Sequence, residues 1–200
     1  MNHRVRNMLT VVISIATQTL RQAKSPAAFS DAFLGRVNAL AAAYTLISRD
    51  NWTAVPLRDV LLEELRPLIT EAETMTFDGP VIHLTPKGAL AIGMIVHELA
   101  TNAVKYGSLS VPAGRLAIRW TVEHAEGGGR LVLTWTEQGG PPVPGAPDGG
   151  FGRRMIERTL KHELKGDVTM AFRPEGLEAT LAMPFEPGIA ARPPGQEARS

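Results

Sequence analysis

The chain has 200 residues, 44% of them hydrophobic, with 21 basic residues against 20 acidic ones and a formal net charge of +1. That is enough apolar material for a real core in one large domain or two small ones, and the near-neutral balance excludes the strongly basic face that a general grip on nucleic acid needs. There is no cysteine, so disulfides and thiolate metal sites are excluded and a reducing compartment is the simple expectation.

The chain opens on MNHRVRNML. Over residues 4–22, Val5, Met8, Leu9, Val12, Ile15, Ala16 and Leu20 recur at steps of three and four, which predicts an amphipathic helix. His3 heads the polar side, above Asn7, Thr10, Ser14, Thr17 and Arg21. After a short break, Ser25 is suited to cap a second helix with Pro26 in its first turn. That helix is predicted to reach about residue 49, with Phe29, Phe33, Val37, Leu40, Tyr44 and Ile47 on one stripe. Residues 1–50 therefore read as an antiparallel helical hairpin. Such a hairpin cannot cover both its stripes alone, and is expected to pair with its own copy as half of a four-helix bundle.

Residues 51–56 break the pattern and mark the expected domain boundary. A short helix is predicted over Leu57–Leu65, extended pieces over 75–77 and 81–84, and a long helix over Pro86–Tyr106. Strands follow at 116–124 and 131–137 around a turn at 126–129, and again at 168–173 and 177–184. Between the two pairs lie a Gly/Pro-rich loop, 138–150, and a helix, 151–164. The order predicts an α+β chain in which residues 51–186 form a two-layer α/β sandwich. Residues 187–200 read as a disordered tail. The longest apolar run, 88–96, falls short of the ~20 residues of a membrane helix. The first twenty residues lack the apolar segment of a signal peptide, so a cytoplasmic chain without membrane contact is expected.

Three stretches invite chemistry. In HELATNAVKYG, residues 97–107, helical spacing puts Glu98, Asn102 and Lys105 on one face. Carboxylate, amide and ammonium together suit a nucleotide–metal site. By spacing alone, a solvated face with a favourable Glu-to-Lys arrangement explains them better. In WTEQGGPPVPG, residues 135–145, Glu137 ends a strand and Gly139 and Gly140 permit close backbone approach. An acid before a turn reads equally well. In GGFGRRMIERTL, residues 149–160, glycines before a helix leave free N–H groups, a ready anion site. A flexible loop with a helix cap is about as good an account. No two histidines have the spacing of a helical zinc site. Trp52, Trp120 and Trp135 read as packing residues.

The order of these stretches resembles the HWE branch of the sensor histidine kinases, whose ATP-binding domain is of the GHKL type. The branch is marked by a histidine in the Asn-bearing helix, here His97, and by a Trp-x-Glu, here Trp135 to Glu137. NHRVRNML is similar to the phosphoacceptor motif, and GGFGRRMIERTL to the second glycine motif. The resemblance spans about residues 2–185. It implies that His3 accepts phosphate from Mg-ATP and that Asn102 holds Mg²⁺ with Glu98 as acidic partner. It puts Lys105 and Tyr106 near the nucleotide and Glu137 at the adenine amino group. Gly139 and Gly140 would shape that pocket, and Gly150 and Gly152 would line the phosphate side of a lid. Phosphate would pass to a response-regulator aspartate, in a homodimer informed by a separate sensor or one upstream. Many histidine kinases have an acid after the phosphoacceptor; this chain has Arg4. A neutral imidazole is a competent nucleophile near neutral pH, its free pKa being ~6.5. The alternative is a phosphorelay module with a degenerate ATP-binding domain, and a third reading is a GHKL ATPase or regulatory domain in which His3 is incidental. His97 is expected to orient its neighbours rather than touch ligand.

Overall fold

The computed structural model describes residues 2–21, 23, 25–49, 54–68, 74–125, 128–142, 151–185 and 190–191. Helices α1, Asn2–Leu20, and α2, Pro26–Arg49, form the expected hairpin. The Ala28 N–H donates to Ser25 Oγ at 3.1 Å, so Ser25 caps α2. Then come β1 (Val55–Pro56), α3 (Leu57–Leu65), β2 (Met75–Asp78), β3 (His83–Leu84) and α4 (Pro86–Tyr106). Thr85 starts α4 by accepting from the Gly88 N–H at 3.1 Å, with Pro86 in the first turn. The remainder is β4 (Arg115–Ala125), β5 (Gly128–Gln138), α5 (Phe151–Glu163), β6 (Asp167–Arg173), β7 (Gly176–Phe185) and β8 (Ala190–Ala191).

One sheet has the order β2-β4-β5-β7-β6, antiparallel except that β2 runs parallel to β4. Its inner face is set by strict alternation: Leu131, Leu133, Trp135 and Glu137 of β5 are buried while the residues between them are less so. Helices α3, α4 and α5 cover that face, through residues such as Leu61, Ile92, Ile95, Leu99, Ile156 and Leu160. This is the predicted two-layer sandwich. A second, small sheet has the order β1-β3-β8. Its outer strands correct the reading of the sequence. β1 lies at the end of the stretch read as the domain boundary, where no strand was predicted, and Ala190–Ala191 pairs with β3 inside the stretch taken as a disordered tail. Two-residue strands are held by backbone pairing to a free edge and leave no side-chain period to read.

The hairpin's buried face is also rotated from the predicted stripe. On α2 the buried residues are Arg36, Ala39, Leu40, Ala43 and Ile47, which pack toward α4. Among the described side chains of α1 they are Ile15 and Thr19, whereas Leu9, Ile13 and Leu20 are exposed. The hairpin rests on the sandwich along one line, and that line decides which side chains are covered. The turn residues 126–127 and loop residues 143–150 lie outside the described residues.

Candidate nucleotide and phosphotransfer site

Two clusters form along the C-terminal half of α4. In the first, Glu98 and Asn102, one turn apart on α4, meet Gly152 in the first turn of α5. A Cβ placed on Gly152 would stand 3.0 Å from Glu98 Oε2 and 3.2 Å from Asn102 Nδ2. Glycine lets the N-terminal turn of α5, whose first N–H groups have no intrahelical acceptor, come this close to a carboxylate and an amide without displacing them. Glu98 is buried and its Oε1 accepts from Arg36 Nε at 2.7 Å. Lys105 and Tyr106 are exposed further along α4, Tyr106 by 73%. Gly150 lies outside the described residues, and so does the side chain of His3, whose backbone is in α1.

The second cluster is built on Glu137. Glu137 is two residues from Trp135 on β5, so both side chains point to the inner face. The Trp135 indole N–H donates to Glu137 Oε1 at 2.9 Å, and the Ser108 backbone N–H donates to Oε2 at 2.8 Å. Burial raises the carboxyl pKa above the ordinary 4.5; the bonds from Trp135 and Ser108 pull it back down in part. The Ser108 hydroxyl approaches the same carboxylate closely enough to lower its pKa, yet Oγ is buried without a partner in hydrogen-bonding geometry. Glycines make the approach possible. A Cβ on Gly107 would collide with Glu137 Oε2, and one on Gly140 would stand 2.8 Å from the Ser108 nitrogen. Gly139 adopts φ +71°, the left-handed region that glycine favours. Glu137, Gly139 and Gly140 thus come together as the sequence suggested, around a carboxylate already held by the protein.

The structure adds residues that the sequence reading passed over. Trp135, taken as packing, is a donor to Glu137. His97 Nδ1 lies 3.1 Å from Glu64 Oε2, with the glutamate side chain 5% exposed. Arg36 and Thr19 belong to the hairpin yet lie against α4. Arg36 stands three and four residues before Ala39 and Leu40 on the buried line of α2, a line that packing against α4 sets and no sequence period marks.

The donor set suits a Mg²⁺-bound nucleotide. Asn102 and Glu98 offer oxygen ligands, the α5 N-terminus offers N–H groups to phosphate, and the orphaned Ser108 hydroxyl beside Glu137 offers a polar contact. Among the described residues there is no group of three or more His, Cys, Asp or Glu able to hold a metal. Magnesium needs no such cage, since it keeps waters and takes phosphate oxygens as ligands.

An asparagine-bearing helix and a glycine-led helix on a mixed sheet, behind a helical hairpin, give the chain the fold of a GHKL-type domain. Solved structures agree in fold. The histidine kinase domain of a blue-light activated histidine kinase from Erythrobacter litoralis superposes with a TM-score of 0.63 at 18% identity, over 90% of this chain and 97% of that one. A longer structure of the same kinase gives 0.65, over 93% and 58%. Residues 1–81 match the family model described as HWE histidine kinase. Blue-light-activated histidine kinase 1 of Erythrobacter litoralis is 37% identical over 190 residues, 92% of this chain and 51% of that protein. The blue-light-activated histidine kinase of Brucella anthropi is 32% identical over 185 residues, 92% and 38%. The chain is thus similar to HWE histidine kinases, and it spans between 38% and 51% of the length of these relatives. No described helix is long and apolar enough to cross a membrane.

Proposed function

We propose that this chain is the transmitter part of a two-component histidine kinase. It binds Mg-ATP between α4 and α5, phosphorylates His3 and passes the phosphate to an aspartate of a response regulator. The observation that carries the reading is the seat of Gly152 on Glu98 and Asn102. It sets an anion-binding helix end against two oxygen ligands, the combination that a triphosphate and its metal require. Magnesium, when bound, neutralises phosphate charge. The protein's part in the transfer is positioning and charge stabilisation. Asn102 holds the metal side, and the α5 amides face phosphate. Lys105 supplies a cation that can fold inward from an exposed position. Glu137 and Ser108 face the base, with Gly139 and Gly140 shaping the wall and Tyr106 at the rim.

The exposed apolar residues Leu9, Ile13 and Leu20 of α1 support pairing of two hairpins into a dimer, a surface that also suits a receiver domain. The intact Glu98–Asn102–Gly152 seat weighs against a pure relay module. Calorimetric titration tests the reading. Wild type should bind Mg-ATP, and Asn102→Ala should lose Mg²⁺-dependent binding with an unchanged circular dichroism spectrum. Equal Mg-ATP affinity in a folded Asn102→Ala variant would refute the assignment.

A further inference from the structure

The hairpin and the nucleotide helix meet residue on residue. Gly35 and Arg36 of α2 lie against His97 and Glu98 of α4. At Gly35 a Cβ would stand 3.2 Å from His97 Nε2, so glycine is what admits α2 to this distance. Beside it Arg36 Nε donates to Glu98 Oε1 at 2.7 Å, and both side chains are nearly closed to solvent, 7% and 8% exposed. Arg36 Nη1 donates to Thr19 Oγ1 at 3.0 Å, and that hydroxyl donates to the Ile15 carbonyl at 2.7 Å. One knot thus ties α1, α2 and α4 through a single carboxylate. Its other oxygen faces Gly152, where a Cβ would stand 3.0 Å from it.

The knot fixes where His3 stands. His3 and Thr19 belong to one unbroken helix and are separated by about 24 Å of helix rise. Between them, Thr10 and Val11 line a cavity of about 340 Å³ together with Lys87 and Leu90, in the first turns of α4. α1 therefore runs parallel to α4, and its histidine end points away from Asn102. The contact that neutralises Glu98 is the same contact that keeps His3 remote from the phosphate seat. A buried ion pair is a weak net stabiliser when both ions can return to water, yet very unfavourable to leave half-broken. That makes it a two-position device: closed with both partners buried, or open with both released. The covering of α2 supports this. From Ala39 to Ile47 its inner side chains are buried, whereas Phe29 and Phe33 are only half-buried and Leu34 is exposed, so Arg36 is the last firmly held point.

We propose that Arg36, Glu98 and Thr19 form an autoinhibitory latch. It holds the hairpin docked in an arrangement that cannot transfer phosphate, and transfer to His3 requires Arg36 to release Glu98. The proposal rests on the kinase reading given above, and its test separates the two.

The chain has no cysteine, and an ideal Cβ on Gly93 would lie 3.7 Å from Ala43 Cβ, within the range of a disulfide. The double variant Ala43→Cys/Gly93→Cys therefore fastens α2 to α4 reversibly. With labelled Mg-ATP, the oxidised form should label His3 at least about tenfold more slowly than its reduced form while binding Mg-ATP equally well. Arg36→Met should raise the initial rate roughly tenfold, because the closed form would then bury an unpaired carboxylate. Equal labelling of oxidised and reduced forms would overturn the latch. So would a slower rate in a well-folded Arg36→Met variant, which would show that Arg36 assists transfer. If no form labels His3, the kinase reading fails and hydrogen exchange decides the latch. Faster exchange along α2 in Arg36→Met supports it, and unchanged exchange overturns it.

Discussion

Replacing Trp135 by Phe isolates the bond between the tryptophan and the glutamate of the Trp-x-Glu motif. Trp135 is fully buried and its indole N–H is a donor to Glu137, itself 3% exposed. Phenylalanine keeps the aromatic body and removes the donor, leaving Oε1 with one fewer partner where water does not reach. A hydrogen bond to a charged group contributes about 1.5–3 kcal/mol, and to a neutral one about 0.5–1.5 kcal/mol. The variant should therefore lose about 1.5–3 kcal/mol near pH 7, or roughly 3–12 °C in Tm for a chain of this size. The pH dependence has a definite sign. Burial raises the folded pKa of Glu137 above the ordinary 4.5. Its stability contribution is therefore full below 4.5 and declines as pH rises through the folded pKa. Losing the Trp135 bond raises that pKa further, so the decline is larger in the variant. Urea titrations near pH 7 and near pH 4 should show a loss that shrinks toward acid, by about 1 kcal/mol. A loss equal at both values, or below about 0.5 kcal/mol at pH 7, would refute the reasoning.

Two further outcomes follow from the same clusters. Gly152→Ala should raise the Mg-ATP Kd roughly tenfold, about 1.4 kcal/mol, by pushing α5 off Glu98 and Asn102. Alanine is the better helix former, so stability should not fall with it, and an unchanged Kd would remove Gly152 from the site. Carbon-detected NMR titration of the Glu137 carboxyl should give a midpoint above 4.5; one at or below that value would mean that the donors outweigh burial.

Most of the fold was legible because its elements carry periods. Steps of three and four gave α1, α2 and α4, alternation gave β4 to β7, and Thr85-Pro86 and Ser25-Pro26 marked helix starts. What a face packs against was not legible. The stripe through Leu9, Leu20 and Phe33 is a correct helical signature, yet the covered line runs through Ile15, Thr19, Arg36 and Leu40, because α4 sets it. Residue type and order singled out Glu98, Asn102, Glu137 and Gly152 as candidates, although helical spacing alone favoured a solvated face for the first two. The site was not legible in its internal ties: Arg36 to Glu98 is separated by 62 positions and Glu137 to Ser108 by 29. A sequence period says nothing about such pairs. Trp135 to Glu137 was within reach, since residues two apart on a strand share a face.

The central claim is that this chain moves phosphate from ATP to His3. Wild type and His3→Ala protein, incubated with γ-labelled Mg-ATP and then treated with acid or alkali, test it most directly. The account predicts a label on the wild-type protein that acid removes and alkali spares, and no label on the variant. A protein that binds Mg-ATP but takes no such label, alone or with a receiver domain present, or a label that persists in His3→Ala, would contradict it.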